Sequence, residues 1–303
     1  MKNKNKFLSY LIALLGIILF CLVVVAGTVW IVDPFNELGR NWTGLYFLTE
    51  RQEKGLVAKF PHNAILLGSS RTSHINPDDL CDYKFYNASF ASALPEEMYY
   101  YSKKFIKDEK MVVIGLDFYM FNEHMYPMET MKEWPEHWWP LYEYLLGRDI
   151  LMDSLKAVYY WSKHVPSMHV DNGYYEYPDE PFNSESYHKW LKFIEEHHYG
   201  KYILSQARLD YMRQLKAFLD TRHIKYIVFI NPIQEDDAAL LRASSAYPIF
   251  IQWKKQLEEI FPDLKDLSQS KYSAKKYFHQ SDPSHYLTSA GAELVNGMLG
   301  CKE

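Results

Sequence analysis

Short apolar runs recur along the chain and predict the strands of a sheet. They fall in five segments: NAILLG (63–68), DYKFYNAS (82–89), MVVIGLDF (111–118), IKYIVFINP (224–232) and the shorter LKDLS (264–268). Runs without polar alternation are typical of strands that are covered on both faces, as in a parallel sheet.

Segments with helical patterns lie between and after these runs. They are PEEMYYYSKKFIKD (95–108), YILSQARLDYMRQLKAFLDTRH (202–223), YPIFIQWKKQLEEIF (247–261) and TSAGAELVNGML (288–299). The first begins with Pro95 and has two acids in its first turn, as helix N-termini favour, and Thr288 is the N-cap candidate of the last. Strands alternating with helices predict an α/β protein with a parallel sheet.

One side of the second helical segment carries recurring apolar residues, as an amphipathic helix requires. They are Ile203, Ala207, Tyr211, Leu215 and Phe218 or Leu219.

The N-terminus combines three lysines with a long apolar run. Lys2, Lys4 and Lys6 precede residues 7–32, which carry no charge and would span about 39 Å as a helix, more than the ~30 Å hydrocarbon core. A cleaved signal peptide is the alternative, but its apolar region would be shorter, so an uncleaved single-pass anchor is favoured. The positive-inside rule then leaves residues 1–33 as cytoplasmic tip and anchor and 34–303 outside the cytoplasm.

Composition narrows the class of protein. The chain has 303 residues, 48% hydrophobic and 17% aromatic, enough for one large domain with a substantial core. A net charge of -5 without a clustered basic face argues against nucleic acid as a partner. The three cysteines are too few for a disulfide framework. Cys81 and Cys301 could pair outside the membrane, but nothing in the sequence shows that they do, and they are expected to be free.

A long aromatic-rich insertion is predicted at about 122–200, and it holds five of the eight tryptophans. It is too long for an ordinary connection. Two interpretations stay open: a cap or cleft wall that stacks on sugars or packs an acyl chain, and a small helical subdomain resting on the sheet or membrane. EEHHYG (195–200) and His188 raise the question of a metal site, but none is expected.

The first strand ends in GSSR (68–71), which places serines at the carboxyl end of a strand. In parallel α/β sheets that edge is where ligands bind. A serine hydroxyl needs an adjacent base, and the base needs an orienting group. DPSHY (282–286) supplies both. In this hypothesis His285 accepts the proton of Ser70 and Asp282 holds the imidazole, although on spacing alone Asp-Pro-Ser-His could be an ordinary turn.

GSSR after the first strand and DPSHY before the last helix together resemble the SGNH (GDSL) hydrolase superfamily. They are similar to its membrane-anchored branch, which includes the teichoic-acid D-alanyl transfer protein and the polysaccharide O-acetylation proteins. The resemblance covers residue 64 to the C-terminus, apart from the insertion. It implies a flavodoxin-like three-layer α/β/α fold, Ser70 as nucleophile with Ser69 in the place of the superfamily's Asp, and no cofactor. It also implies a multispanning membrane O-acyltransferase as partner.

Two middle motifs depart from the family pattern. YNASFASA (86–93) lacks the glycine whose N–H helps to bind the oxyanion, but Ser89 could donate its own N–H. GLDF (115–118) has Asp117 where an Asn donor is expected, and an ionised Asp would repel an oxyanion. Three alternatives remain for the oxyanion hole, the group of donors that binds the oxyanion. It is built from the N–H groups of Ser70 and Ser89, or Arg71 contributes positive charge to it, or the site is impaired. Asn231 could line the pocket or simply start a turn before Pro232.

The expected function is that of a membrane-anchored extracytoplasmic serine O-acyltransferase acting on a cell-envelope polysaccharide or teichoic-acid-like polymer. The alternatives are an acyl esterase of the same polymers and a non-catalytic scaffold or binding component of a polymer-modification complex.

Overall fold

The protein is described by a computed structural model that covers residues 2–47, 53–125, 134, 139–165, 172–175 and 181–301. The chain forms two compact units. One comprises Met1–Gln52 and Pro135–His169, and the other comprises Glu53–Trp134 and Val170–Glu303. We call them the anchor unit and the sheet unit.

The sheet unit is built on five parallel strands. They are β1 Ala64–Leu67, β2 Phe85–Asn87, β3 Met111–Leu116, β4 Lys225–Ile230 and β5 Lys265–Asp266. Their order in the sheet is β2-β1-β3-β4-β5, the order of flavodoxin-like doubly wound sheets. The prediction of an α/β protein with a parallel sheet is confirmed, and its arrangement is compatible with α/β/α layering.

The central strands are buried because their side chains are apolar on both faces. Every residue of β1 and of β3 is buried, and Leu66 pairs with Val113 across the two strands. Gly68 follows β1 and Gly115 lies within β3, and a Cβ on either glycine would overlap the Thr72 hydroxyl. The backbone after β1 can therefore turn closely over the sheet edge only with glycine at both positions.

Helices α1 to α10 follow in chain order. They are α1 Lys2–Val32, α2 Ser70–Ser73, α3 Pro95–Phe105, α4 Leu141–Leu146, α5 Arg148–Ser162, α6 Ser184–Phe193, α7 Gln206–Thr221, α8 Glu235–Ala243, α9 Tyr247–Ile260 and α10 Thr288–Leu299. Shorter 3-10 turns occur at Gly55–Lys59, Pro77–Asp79, Phe118–Phe121, Lys271–Ser273 and Lys275–Tyr277, and α6 continues into a π turn at Ile194–Tyr199.

The observed helix starts agree only in part with those predicted from the sequence. Pro95 opens α3 as predicted, and the Glu97 side chain accepts a hydrogen bond from the Leu94 N–H. Thr288 is the first residue of α10 and not its cap, which is Leu287. Helix α8 has no counterpart in the sequence-based prediction, although three acids fill its first turn.

The buried face of α7 differs from the predicted one. The helix buries Arg208, Leu209, Met212, Leu215 and Leu219. Ile203 lies before the helix and is exposed, and Ala207 is exposed as well. The reason is Arg208, which is buried beside Glu96 and donates to the Asn122 carbonyl. Leu215 and Leu219 are buried as predicted, whereas in the first half of the helix Arg208 and Met212 occupy the inner face in place of Ala207 and Tyr211.

The anchor unit consists of α1 and the helices that pack against it, α4 and α5. Within α1, Lys6–Val32 is long and apolar enough to cross a membrane. The aromatic-rich insertion does not form one piece: residues 139–165 belong to this unit, whereas 172–200 belong to the sheet unit.

Cys81 and Cys301 form a disulfide, so the expectation that both are free is wrong. The bond joins the loop before β2 to the second residue after α10, 220 positions apart. The Asn296 side chain supports this contact by accepting from the Cys81 N–H and donating to the Asp79 carbonyl. Closing so large a loop typically stabilises a domain by about 2–4 kcal/mol. Spacing alone did not indicate that the pair meets.

Candidate active site

The carboxyl end of β1 presents Ser70 at the start of the helical turn α2. Ser69 precedes the turn as its N-cap, and its hydroxyl accepts from the Arg71 N–H. Ser70 itself is half-buried, whereas Ser69 is fully buried. The two neighbouring serines therefore point into different surroundings.

Asp282 and His285 lie in a loop that folds back on itself before α10. The loop is closed by the bridge between Phe278 and Tyr286 and by the hydrogen bond from the His279 N–H to the His285 carbonyl. The Asp282 N–H donates to the His279 carbonyl, which tightens the turn further. Backbone bonds within the loop thus fix both side chains relative to each other.

Ser70, His285 and Asp282, called the triad below, form one continuous chain of hydrogen bonds. The distance from His285 Nε2 to Ser70 Oγ is 2.8 Å, and that from His285 Nδ1 to Asp282 Oδ2 is 2.7 Å. The other oxygen of Asp282 accepts from the Ser284 N–H at 2.8 Å. These are the contacts that a hydroxyl, a base and an orienting carboxylate need for nucleophilic chemistry.

The hydrogen-bond partners of Asp282 keep its carboxyl group ionised. Burial by itself would raise the pKa of this carboxyl. The hydrogen bond and charge of His285 and the Ser284 N–H outweigh burial, so the pKa of Asp282 is lowered from its ordinary value. Asp282 is therefore a carboxylate near neutral pH and favours the proton on Nδ1 of His285, which leaves Nε2 as the acceptor for the serine.

Beside the triad lies a second, buried polar group, which we call the charge cluster: Ser69, Arg71, Asp117, Asn231 and Asp237. Asp117 follows β3, and its carboxylate accepts from Ser69 Oγ at 2.5 Å and from Asn231 Nδ2 at 3.2 Å. Arg71 lies between the two aspartates, 3.2 Å from Asp117 and 3.3 Å from Asp237.

The guanidinium of Arg71 stays charged. Burial opposes the charge, but Asp117 and Asp237 outweigh it and raise the pKa of Arg71 above its usual range. For Asp237 burial is the larger effect and raises the pKa, although Arg71 and the hydroxyl of Tyr199, 2.6 Å away, act in the opposite direction.

Asp117, Arg71 and Asn231 therefore bind one another, and they also line a small cavity together with Tyr119 and His198. The oxygen of the Asn231 amide accepts from the Tyr286 hydroxyl at 3.1 Å. That bond links the cluster to the residue after His285.

Ser89 is buried, and its N–H already donates to the Asn87 side chain at 3.0 Å. Its segment runs beside the end of β1, because the Phe90 N–H donates to the Gly68 carbonyl. By contrast, Ser70 is the first residue of α2, and the first N–H groups of a helical turn have no acceptor within it. Of the two expected backbone donors, Ser70 is thus the one that the local geometry leaves to a ligand.

Aromatic rings enclose His285. The ring of His74 stacks on it with centroids 4.7 Å apart, and Trp190 meets it edge-on at 6.1 Å. Burial, followed by the charges of His285 and His279, lowers the pKa of His74 to about 2, so this ring is neutral. Trp190 comes from the 172–200 part of the predicted insertion, which therefore contributes to the wall of the site.

Sequence reasoning missed His74, Asp237 and Trp190. His74 lies four residues after Ser70, and that spacing, which places side chains on one face of a helix, is the one local signal that could have indicated it. Asp237 lies 166 positions from Arg71 in sequence, and no local pattern links residues so far apart.

The histidines considered as metal ligands do not come together. His188 and His197 contact backbone carbonyls of their own helical segments, and His198 is buried and stacked on Tyr119. Within the described part of the chain, the side chains close enough to share an ion are Cys81, Asp82 and Cys301, and there the sulfurs are joined in the disulfide.

No protein-family model matches this chain, and no curated protein sequence matches it either. The class of protein is therefore defined by fold and site alone: an α/β protein with a parallel five-stranded sheet. At the carboxyl edge of the sheet, where the strand order reverses between β1 and β3, lies a hydrogen-bonded serine, histidine and aspartate.

Proposed function

We propose that this protein is a membrane-anchored, extracytoplasmic serine O-acyltransferase that acts on a cell-envelope glycopolymer. The single observation that carries the proposal is the hydrogen-bonded triad, with 2.8 Å between Ser70 Oγ and His285 Nε2. The same chemistry with water as acceptor would make it an acyl esterase.

The reaction cycle follows from the triad. Ser70 Oγ attacks the carbonyl carbon of an acyl ester while its proton passes to His285 Nε2. The tetrahedral intermediate then expels the leaving alcohol, which takes that proton, and an acyl-serine remains. A sugar or polyol hydroxyl gives its proton to His285, attacks the acyl-serine and releases Ser70 with its proton restored. Asp282 stabilises the imidazolium that forms in each half.

Membership of the SGNH superfamily is part of this proposal. It is supported by the strand order, by Ser70 directly after β1 and by the Asp282–His285 pair directly before α10. The chain departs from the family pattern at Asp117, which Arg71 neutralises at 3.2 Å. A multispanning membrane O-acyltransferase that supplies the acyl group is proposed as partner on the family resemblance alone.

Two features support a location outside the cytoplasm. Lys6–Val32 is able to cross a membrane, and the lysines precede it. The Cys81–Cys301 disulfide lies in the sheet unit, and disulfides persist in oxidising compartments.

The test is covalent labelling with a fluorophosphonate, followed by mass spectrometry of the full chain in detergent. We expect one adduct, on Ser70, which is lost in Ser70→Ala and retained in Ser73→Ala. Ser73 is the matched control because it is on the same turn and its hydroxyl donates to the Ser70 carbonyl. A folded wild-type protein without an adduct contradicts the proposal. Adding polyol acceptors to an acylated sample then separates transfer from hydrolysis.

A non-catalytic scaffold is the second candidate, and one observation favours it. The Ser89 N–H is engaged by Asn87, and Asp117 stands in the place of a donor, so fewer groups remain to stabilise an oxyanion. A scaffold would bind the glycopolymer equally well in wild type and Ser70→Ala and would turn over no activated acyl ester.

A further inference from the structure

The C-terminal end of α1 differs from the rest of that helix. Residues 7–24 are exposed on every side, whereas residues 25–29 become progressively shielded and Val29 and Val32 are buried. The shielding comes from the anchor unit itself, in which α4 and α5 pack against α1.

The lengths of these two parts match the depth of a bilayer. At 1.5 Å per residue, residues 7–24 span about 27 Å, close to the ~30 Å hydrocarbon core. The shielded residues 25–32 add about 12 Å, enough to extend through an interfacial layer of about 5–8 Å. The packed end of α1 would thus begin where the lipid tails end.

Helix α5 is apolar on two sides. Ile150, Ser154 and Ala157 are buried. Of the residues that face away from the packing, Leu155 and Tyr159 are at least half exposed. A surface helix of a globular protein normally has charged or polar residues there.

The exposed apolar surface extends beyond α5 within the same unit. Within α5 it also includes Met152 and Trp161, and outside α5 it includes Leu141, Tyr142, Leu146, Val165 and Trp42. Trp42 packs edge-on against Trp161 with centroids 4.9 Å apart, and Arg40 lies 4.3 Å over the ring of Trp30. Trp, Tyr and Arg of this kind are the residues enriched at membrane interfaces.

We propose that α4 and α5, with Trp30 and Trp42, form a collar around the end of α1 that is seated in the headgroup region of the bilayer. The occupant of the exposed apolar surface is lipid. The assignment to lipid rests on continuity. The exposed apolar surface of the anchor unit begins at the point on α1 where residues 7–24, which are long enough to cross the hydrocarbon core, end. The collar rests on the membrane-spanning assignment of α1 and is independent of the proposed enzymatic activity.

Charge on the collar favours apolar contact over attraction to anionic lipid. The described residues 139–165 carry three acidic and three basic side chains: Glu143, Asp149, Asp153, Arg148, Lys156 and Lys163. Because these charges balance, binding of the collar to the headgroup region should depend little on salt or on the content of anionic lipid. Binding of a polybasic surface would depend strongly on both.

The test uses the full chain in pure lipid vesicles, with an environment-sensitive fluorophore on single cysteines in a Cys21→Ser background. The labelled variants are Leu155→Cys and Tyr159→Cys, both exposed and therefore costing little packing. Ile12→Cys in α1 is the deep control, and Ile251→Cys, an exposed apolar residue of the sheet unit, is the aqueous control. The quenchers are lipids with a nitroxide near the headgroup or near the end of the tail.

Labels at 155 and 159 should lose severalfold more emission to the shallow quencher than to the deep one. The label at 12 should show the reverse order, and the label at 251 should respond to neither. The collar is overturned if 155 and 159 behave like 251 in vesicles where 12 is quenched, since the occupant would then be a protein. Absence of quenching at 12 overturns the collar together with the anchor, and fluorophosphonate labelling of the same sample shows separately whether the triad is active.

Discussion

Two groups of polar side chains lie at the same edge of the sheet. They differ in whether their hydrogen bonds reach a group that a substrate could contact. In the triad, a buried carboxylate orients a buried imidazole that reaches a half-buried hydroxyl, so the chain of hydrogen bonds ends at a group able to meet a substrate. In the charge cluster every member is buried and each charge faces another member. From this contrast we expect changes in the triad to alter reactivity and changes in the charge cluster to alter stability.

The sharpest test of this contrast is His285→Gln. Without the base, the rate of fluorophosphonate labelling at Ser70 should fall by about a thousandfold or more, because an isolated serine hydroxyl is a poor nucleophile. The stability should change far less. If His285→Gln were labelled at a rate close to that of wild type, the triad would not differ from the charge cluster in reactivity.

The charge cluster should respond in the opposite way. Arg71→Met leaves Asp117 and Asp237 buried without their cation, and we expect a loss of about 3–5 kcal/mol in the free energy of unfolding. Arg213→Met is the matched control, since Arg213 pairs with Asp210 on the exposed side of α7 and should cost no more than ~1 kcal/mol. Chemical denaturation in detergent measures both. Equal losses would contradict the structural role of the cluster.

His74 tests whether the ring behind the base belongs to the triad. His74→Ala removes the stacked ring and should lower the labelling rate about ten- to a hundredfold by loosening His285. His74→Phe keeps a ring at the same place and should recover most of that rate. If Phe and Ala behave alike, stacking does not position the imidazole.

The smallest expected effect is a pH dependence of stability from Asp282. Its pKa is lowered in the folded state from an ordinary value of 3.8, so it contributes stability that is complete above that value and is lost as the pH falls through the folded pKa. Wild type should exceed Asp282→Asn by about 1 kcal/mol near neutral pH. Melting curves at decreasing pH should show the two proteins converging in the acid range. A constant difference would mean that the ionised form has no special partner.

Much of the fold could be predicted because strand and helix signals are local. The apolar runs at β1, β3 and β4 predicted parallel strands, and Gly68 followed by two serines marked the end of β1. The triad was predicted because both of its halves are short motifs next to clear elements. The face of α7 was mispredicted because burial of Arg208 depends on Glu96 and Asn122, far away in sequence.

By itself the sequence determined the alternating elements, the apolar anchor segment and the three residues that meet at the sheet edge. Only the tertiary structure decided that Cys81 joins Cys301, that the Ser89 N–H is already engaged and that Arg71 neutralises Asp117. It also decided that the aromatic segment is shared between two units. The physical reason is that periodicity reports the environment of one element, whereas the partner of a charge, thiol or N–H is chosen by chain folding across tens to hundreds of residues.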